Sequence, residues 1–76
     1  MFNNGLMNTD VAIEIIAEMI ADCATSLRNT DNQMERQELE KKKALYLKQR
    51  DEIYSGNKET INYVIEIYGD KLKKER

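Results

Sequence analysis

The chain has 76 residues, one cysteine, no histidine and no proline, and its formal net charge is −2. This length predicts a single domain with a small core, because a domain of about 60 residues buries only about 60% of the surface that its unfolded chain exposes. A lone cysteine cannot form an internal disulfide, and the usual zinc sites and histidine-dependent catalytic groups are not available. By elimination, we expect a partner chain to add to the stability of this small scaffold.

The first predicted helix runs from about Val11 to Leu27, and residues 1–9 are predicted to be a flexible leader before a single helical domain over residues 10–76. Asn8, Thr9 or Asp10 would cap the first turn. Apolar residues recur at spacings of three and four along this helix and fill an arc of roughly 180°, wider than the roughly 100° stripe of a surface helix. We therefore expect this helix to pack against more than one neighbour.

The second predicted helix covers residues 32–55 and is long, amphipathic and rich in charge. Thr30 with Gln33 fits a capping box at its start, and Gly56 fits a left-handed residue after its end. The residues expected on its apolar face are Leu39, Tyr46, Leu47, Ile53 and Tyr54.

The third predicted helix covers residues 58–74, with Asn57 as its N-cap. Its apolar stripe consists of Ile61, Val64, Ile65, Tyr68 and Leu72. Tyr63 and Ile67 lie off that stripe, so we expect them to face outward and assign them to a partner-binding surface.

Short connections between these elements predict an all-α, three-helix antiparallel bundle with a long central helix. Three helices of this size would not cover both flanks of the first helix. We therefore predict that self-association, most simply as a homodimer, completes the bundle. The residues predicted to mediate it are Ile13, Ile16, Ile20 and Leu27.

Four acidic residues at a constant spacing of four form the most specific pattern in the chain: Asp10, Glu14, Glu18 and Asp22. Like charges at this spacing repel each other on a helix by a few tenths of a kcal/mol. The series is either a solvated face, favourable near a helix N-terminus, or a contact surface for cations. Those cations would belong to a partner protein or to lysines of another copy of this chain.

Basic residues are concentrated in the second half, because residues 39–76 carry a net charge of +3 and residues 1–38 a net charge of −5. Consecutive residues on a helix point about 100° apart, so the basic residues do not form one stripe, and neighbouring acids largely neutralise them. Nucleic-acid binding through this half is the alternative function. The residues it would use are Lys41, Lys42, Lys43, Lys48 and Arg50.

The leading functional prediction is a small, non-catalytic module that binds a protein target. No nucleotide-binding loop is present, since the three glycines are isolated, and no cofactor or metal is predicted. Small size and an Asn-, Ile- and Lys-rich composition suit an inhibitor, an antitoxin-like factor or an accessory protein of a bacterium, phage or mobile element. We expect a cytoplasmic location, because the cysteine has no partner and no run approaches the roughly 20 apolar residues that span a bilayer.

Overall fold

A computed structural model describes the backbone of residues 4–75 and the side chains of residues 8–72. It contains three helices and, in the described part of the chain, no strand, which confirms the all-α bundle. Helix α1 is Asn4–Asn29 and helix α2 is Gln33–Tyr54. Helix α3 covers residues 58–75 and consists of an α-helical segment Lys58–Tyr63, a π-helical segment Val64–Tyr68 and an α-helical segment Gly69–Glu75.

Helix α1 begins at Asn4, seven residues before the predicted start at Val11. Residues 4–9, predicted as a leader, therefore belong to this helix in the structure, and residues 1–3 lie outside the described part. No proline interrupts this stretch, and Leu6 and Met7 are good helix formers. The acidic residues Asp10 and Glu14 consequently lie beyond the first turn, where the favourable effect of the helix dipole has faded.

The corner between α1 and α2 is built from side chains that bind backbone groups. Asn32 is the N-cap of α2, and its Oδ1 accepts a hydrogen bond of 3.0 Å from the Glu35 amide. This replaces the predicted capping box, because the Thr30 hydroxyl instead donates to the Glu35 carboxylate. Arg36 Nη1 donates to the Leu27 carbonyl oxygen over 2.7 Å, which satisfies one of the carbonyls at the end of α1.

The corner between α2 and α3 confirms both predicted terminators. Gly56 has a φ of 87°, and its amide donates to the Ile53 carbonyl while the Asn57 amide donates to that of Glu52. This pair of bonds is the Schellman motif. Asn57 also caps α3, since its Oδ1 accepts from the Thr60 amide at 3.1 Å. Asn57 therefore takes part both in the end of α2, through its amide, and in the start of α3, through its side chain.

Two reversals of direction make α1 and α3 run parallel, with α2 antiparallel to both. Asn8 of α1 lies beside Lys58 and Ile61 at the start of α3, whereas Cys23, further along α1, lies beside Lys71 near the end of α3. Helix α1 packs against both other helices. This agrees with the two neighbours that its wide apolar arc predicts.

The largest fully buried side chains come one from each helix: Ile16 from α1, Ile53 from α2 and Val64 from α3. Around them lie further buried residues from all three helices. Among residues 8–72, the buried residues are Ala12, Ile16, Met19, Cys23, Tyr46, Ile53, Ile61, Val64 and Tyr68.

The π-helical segment of α3 changes which side chains meet. In an α-helix, residues five apart point about 140° away from each other at 3.6 residues per turn. The wider π turn instead brings Tyr63 and Tyr68 together, with ring centroids 5.3 Å apart in an edge-to-face contact. Tyr68 makes a second such contact with Tyr46 of α2, and its hydroxyl donates to Gln49 Oε1 over 3.0 Å. The π turn therefore anchors α3 to α2.

Candidate functional site

A groove of about 560 Å³ lies between α1 and the second half of α3. One wall is the segment of α1 from Val11 to Glu18, and the other is the segment of α3 from Ile65 to Leu72. A volume of this size falls within the roughly 300–1,000 Å³ of typical binding pockets. Four other cavities along the described part of the chain have volumes of about 180, 250, 310 and 490 Å³.

The groove has an apolar lining, contributed by Val11, Ile15, Ile65 and Leu72. Val11 is 42% exposed, and the other three are half-buried and pack against the core. At Gly69 the two helices approach closely: a Cβ placed there would lie 3.2 Å from Ile15 Cδ1. Glycine therefore lets α3 lie against α1 at this point.

Acidic side chains line both walls of the groove. Glu14 and Glu18 come from α1, and Glu66 and Asp70 come from α3. No basic residue is among the described side chains that line it. The groove thus combines an apolar lining with carboxylates on either side.

The structure splits the predicted acidic series. Glu14 and Glu18 line the groove, whereas Asp10 is exposed outside it. Asp22 lines a separate cavity of about 180 Å³, where Lys42 and Lys71 also lie. Only the middle of the series therefore belongs to the groove, and Asp22 lies near cations of its own chain.

Glu66 and Asp70 belong to the groove but were not assigned to any site from the sequence. Their spacing of four places them on one side of α3, and this signal was present. The missing information was that α3 runs parallel to α1, which brings the two acidic pairs onto facing walls.

Tyr63 and Ile67 are 47% and 50% exposed, which agrees with the predicted outward orientation. Neither residue lines the groove. The edge of Tyr63 is also engaged with Tyr68 inside the same chain. The structure therefore does not bring these two residues together with Glu14 and Glu18 into one surface.

The predicted self-association residues lie mainly against their own chain. Ile16 is fully buried in the core of its own chain, so its side chain offers no exposed surface to a second copy in this structure. The cause is that α2 and α3 together cover the centre of the apolar arc of α1. Ile13 and Ile20 are half-buried against the core, and Leu27 is half-buried beside Leu47 of α2. Self-association itself stays a prediction.

The basic residues of α2 are dispersed around the helix. Lys42 lies beside Asp22 and Cys23, while Lys43 lines a different cavity beside Leu27. Lys41 and Lys48 are exposed. Arg50 is half-buried, and its Nη2 lies 4.0 Å from Asp51 Oδ1. The five residues do not form one basic surface.

Cys23 is buried, and burial raises the pKa of its thiol above the ordinary value. The nearby charge of Lys42 opposes this shift, and Asp22 reinforces it. A raised thiol pKa lowers the fraction of reactive thiolate at neutral pH. Cys23 therefore serves as a small apolar side chain in the core.

Among the described side chains, no three metal-binding residues lie close enough together to hold an ion. None of the helices that the structure describes is both long and apolar enough to cross a membrane. No family model, curated protein or solved structure matches the chain.

Proposed function

We propose that the protein is a non-catalytic interaction module that binds a protein target through the groove between α1 and α3. The observation that carries this proposal is the combination of exposed apolar surface and carboxylates on facing walls. Apolar area supplies binding energy when a partner covers it, and the charges select the partner and orient it. An inhibitor, antitoxin-like factor or accessory protein of bacterial, phage or mobile-element origin would act in this way.

Nucleic-acid binding receives less support from the arrangement of charges. A nucleic-acid surface requires clustered cations that neutralise phosphates. Here the basic residues of α2 are dispersed, and Asp22 lies beside Lys42. The acidic groove would repel a phosphate backbone.

The proposal is tested by photo-crosslinking in cells of the source organism. A photoreactive phenylalanine analogue at Val11 in the groove is compared with the same analogue at Leu45 on α2. The two positions are matched in exposure, at 42% and 48%. We expect a defined adduct at Val11, identified by mass spectrometry as one protein, and we expect the double change Glu14→Lys and Glu66→Lys to abolish it.

An absence of any protein adduct at Val11, or equal adducts at both positions, would contradict binding at the groove. A nuclease-sensitive adduct at Leu45 alone would instead favour the nucleic-acid alternative. Circular dichroism spectra of both labelled proteins provide the control for folding.

A further inference from the structure

The walls of the groove restrict the kind of segment that it accepts. Proteins capture peptides by adding a strand to a sheet edge, by holding a polyproline helix among aromatic side chains, or by seating an amphipathic helix between helices. The described part of the chain has no strand, and no aromatic residue lines the groove. Both walls are helices, so the third mode fits.

The size of the groove sets how much of a helix it covers. Its walls, Val11 to Glu18 and Ile65 to Leu72, each extend over about two helical turns, or roughly 10 Å. An occupying helix would thus present apolar residues at positions such as i, i+4 and i+7. Such a helix would lie on the flank of α1 and α3 that their own neighbours leave uncovered, as a fourth helix of the bundle.

Charge determines what must flank that apolar stripe. Glu14 on one wall and Glu66 on the other are both exposed carboxylates. A helix between them is favoured if it carries Lys or Arg on both sides of its apolar stripe, since opposite charges across the rim steer association and fix orientation. A helix flanked by acids would be repelled.

We infer that the groove holds a basic amphipathic helix of a partner protein. This inference rests on the proposed function and specifies the partner by its chemistry. The partner helix carries two or three aliphatic residues on one face, contacting Ile15, Ile65 and Leu72, and cations on both flanks of that face.

The probe for this inference is a small panel of fluorescein-labelled synthetic helices of about 16 residues, since shorter isolated helices are marginal in water. Each has Leu or Ile at helical spacing and Lys on both flanks of the stripe, and each has a matched peptide with Glu in place of every Lys. Binding to the full chain is measured by fluorescence anisotropy. We expect saturable binding of Lys peptides, no binding of Glu peptides, and weaker binding as the salt rises from about 0.05 M to about 0.5 M.

Two double variants with the same change in net charge locate the binding surface. Glu14→Lys with Glu66→Lys should weaken binding by about tenfold or more, because each change replaces an attraction across the rim by a repulsion. Glu38→Lys with Glu40→Lys, at two exposed positions of α2 outside the groove, should leave affinity within about twofold of wild type, because screened charges at a distance contribute little. If the first variant fails to fold, Glu14→Gln with Glu66→Gln replaces it.

Three results would overturn the inference: Lys and Glu peptides that bind equally well, equal losses in both double variants, or no binding of any Lys peptide to the folded chain. The crosslinking experiment separates this failure from that of the proposed function. If a protein is captured at Val11 through a segment that is not a basic helix, the proposed function is supported and only the inference of a basic partner helix is contradicted.

Discussion

Ile16 belongs to one core cluster with Ile53 and Val64, and these three are the largest side chains with no exposed surface. In so small a domain, each such residue accounts for a large share of the stability. At about 0.05–0.15 kcal/mol per residue, a chain of this length has a free energy of unfolding of only about 4–11 kcal/mol. The groove between α1 and α3 therefore depends on these core positions, because it forms only when the helices are packed together.

Replacing Ile16 by Ala should lower the free energy of unfolding by about 2–5 kcal/mol, because it leaves a cavity where three helices meet. The milder change Ile16→Val should cost about 0.5–1.5 kcal/mol and keeps the measurement possible if the Ala variant does not fold. Urea unfolding followed by circular dichroism measures both. Val11→Ala, at a position that is 42% exposed, is the control and should stay close to wild type. An Ile16→Ala midpoint equal to that of wild type would show that this site is not part of the core.

At the scale of the elements, the corner after α2 depends on a single backbone conformation. Gly56 adopts a φ of 87°, which side chains with a Cβ rarely tolerate. An added Cβ would meet no atom within 4 Å, so any cost of a substitution there is one of backbone strain and not of crowding. The corner matters for the groove because it directs α3 back along α1.

Gly56→Ala should therefore lower the free energy of unfolding by about 1–2 kcal/mol, the ordinary cost of a left-handed conformation for such a residue. Gly56→Asn is the matched control. Its free energy of unfolding should fall by less than that of Gly56→Ala, since asparagine tolerates the left-handed conformation better. Thermal unfolding of wild type and the two variants under one set of conditions gives the order of their stabilities. Equal melting temperatures for wild type and the Gly56→Ala variant would indicate that the corner between α2 and α3 does not require a left-handed residue at this position.

The local signals of these elements were readable from the sequence, and the contacts between distant elements were not. Gly56 and Asn57 interrupt periodic patterns and were predicted correctly, as were the buried Ile53 and Tyr46 on the apolar face of α2. Tyr54, assigned to the same face, is 64% exposed, because consecutive residues of a helix point about 100° apart and the neighbouring Ile53 is the one that faces the core. The start of α1 was placed too late because Asn8, Thr9 and Asp10 are all good N-cap residues and were read as the cap.

The groove required information that no single helix contains. Glu14 and Glu18 were identified as one regular series, but their facing partners Glu66 and Asp70 follow only from the parallel course of α1 and α3. The close approach at Gly69 likewise depends on the neighbouring Ile15. Helical periodicity also assumes a uniform turn, so the π-helical contact between Tyr63 and Tyr68 could not be predicted from it.

At the scale of the whole molecule, carboxylates from α1 and α3 lie on the two walls of the groove. Glu14 lies one turn from Glu18, and like charges at that spacing repel by a few tenths of a kcal/mol. Helix α1 starts too early for the helix dipole to compensate at Glu14. On the proposed function, a cationic partner that fills the groove would compensate the charge of Glu14.

Replacing Glu14 and Glu66 together by Gln should therefore leave the free protein as stable as wild type or slightly more stable, with a change within about 0.5 kcal/mol. The same change should weaken binding of the Lys peptides, mainly by slowing association, because it removes attraction at an exposed rim. Melting temperature and stopped-flow association rates measure the two effects separately.

Glu38→Gln with Glu40→Gln is the control. It should change neither the association rate nor the melting temperature appreciably, apart from the loss of the weak helical pair between Glu38 and Lys42. A drop of about 5 °C in the melting temperature corresponds to roughly 1 kcal/mol in a domain of this size. A larger drop for the Glu14→Gln, Glu66→Gln variant would mean that these carboxylates stabilise the fold, which would contradict a role in binding alone.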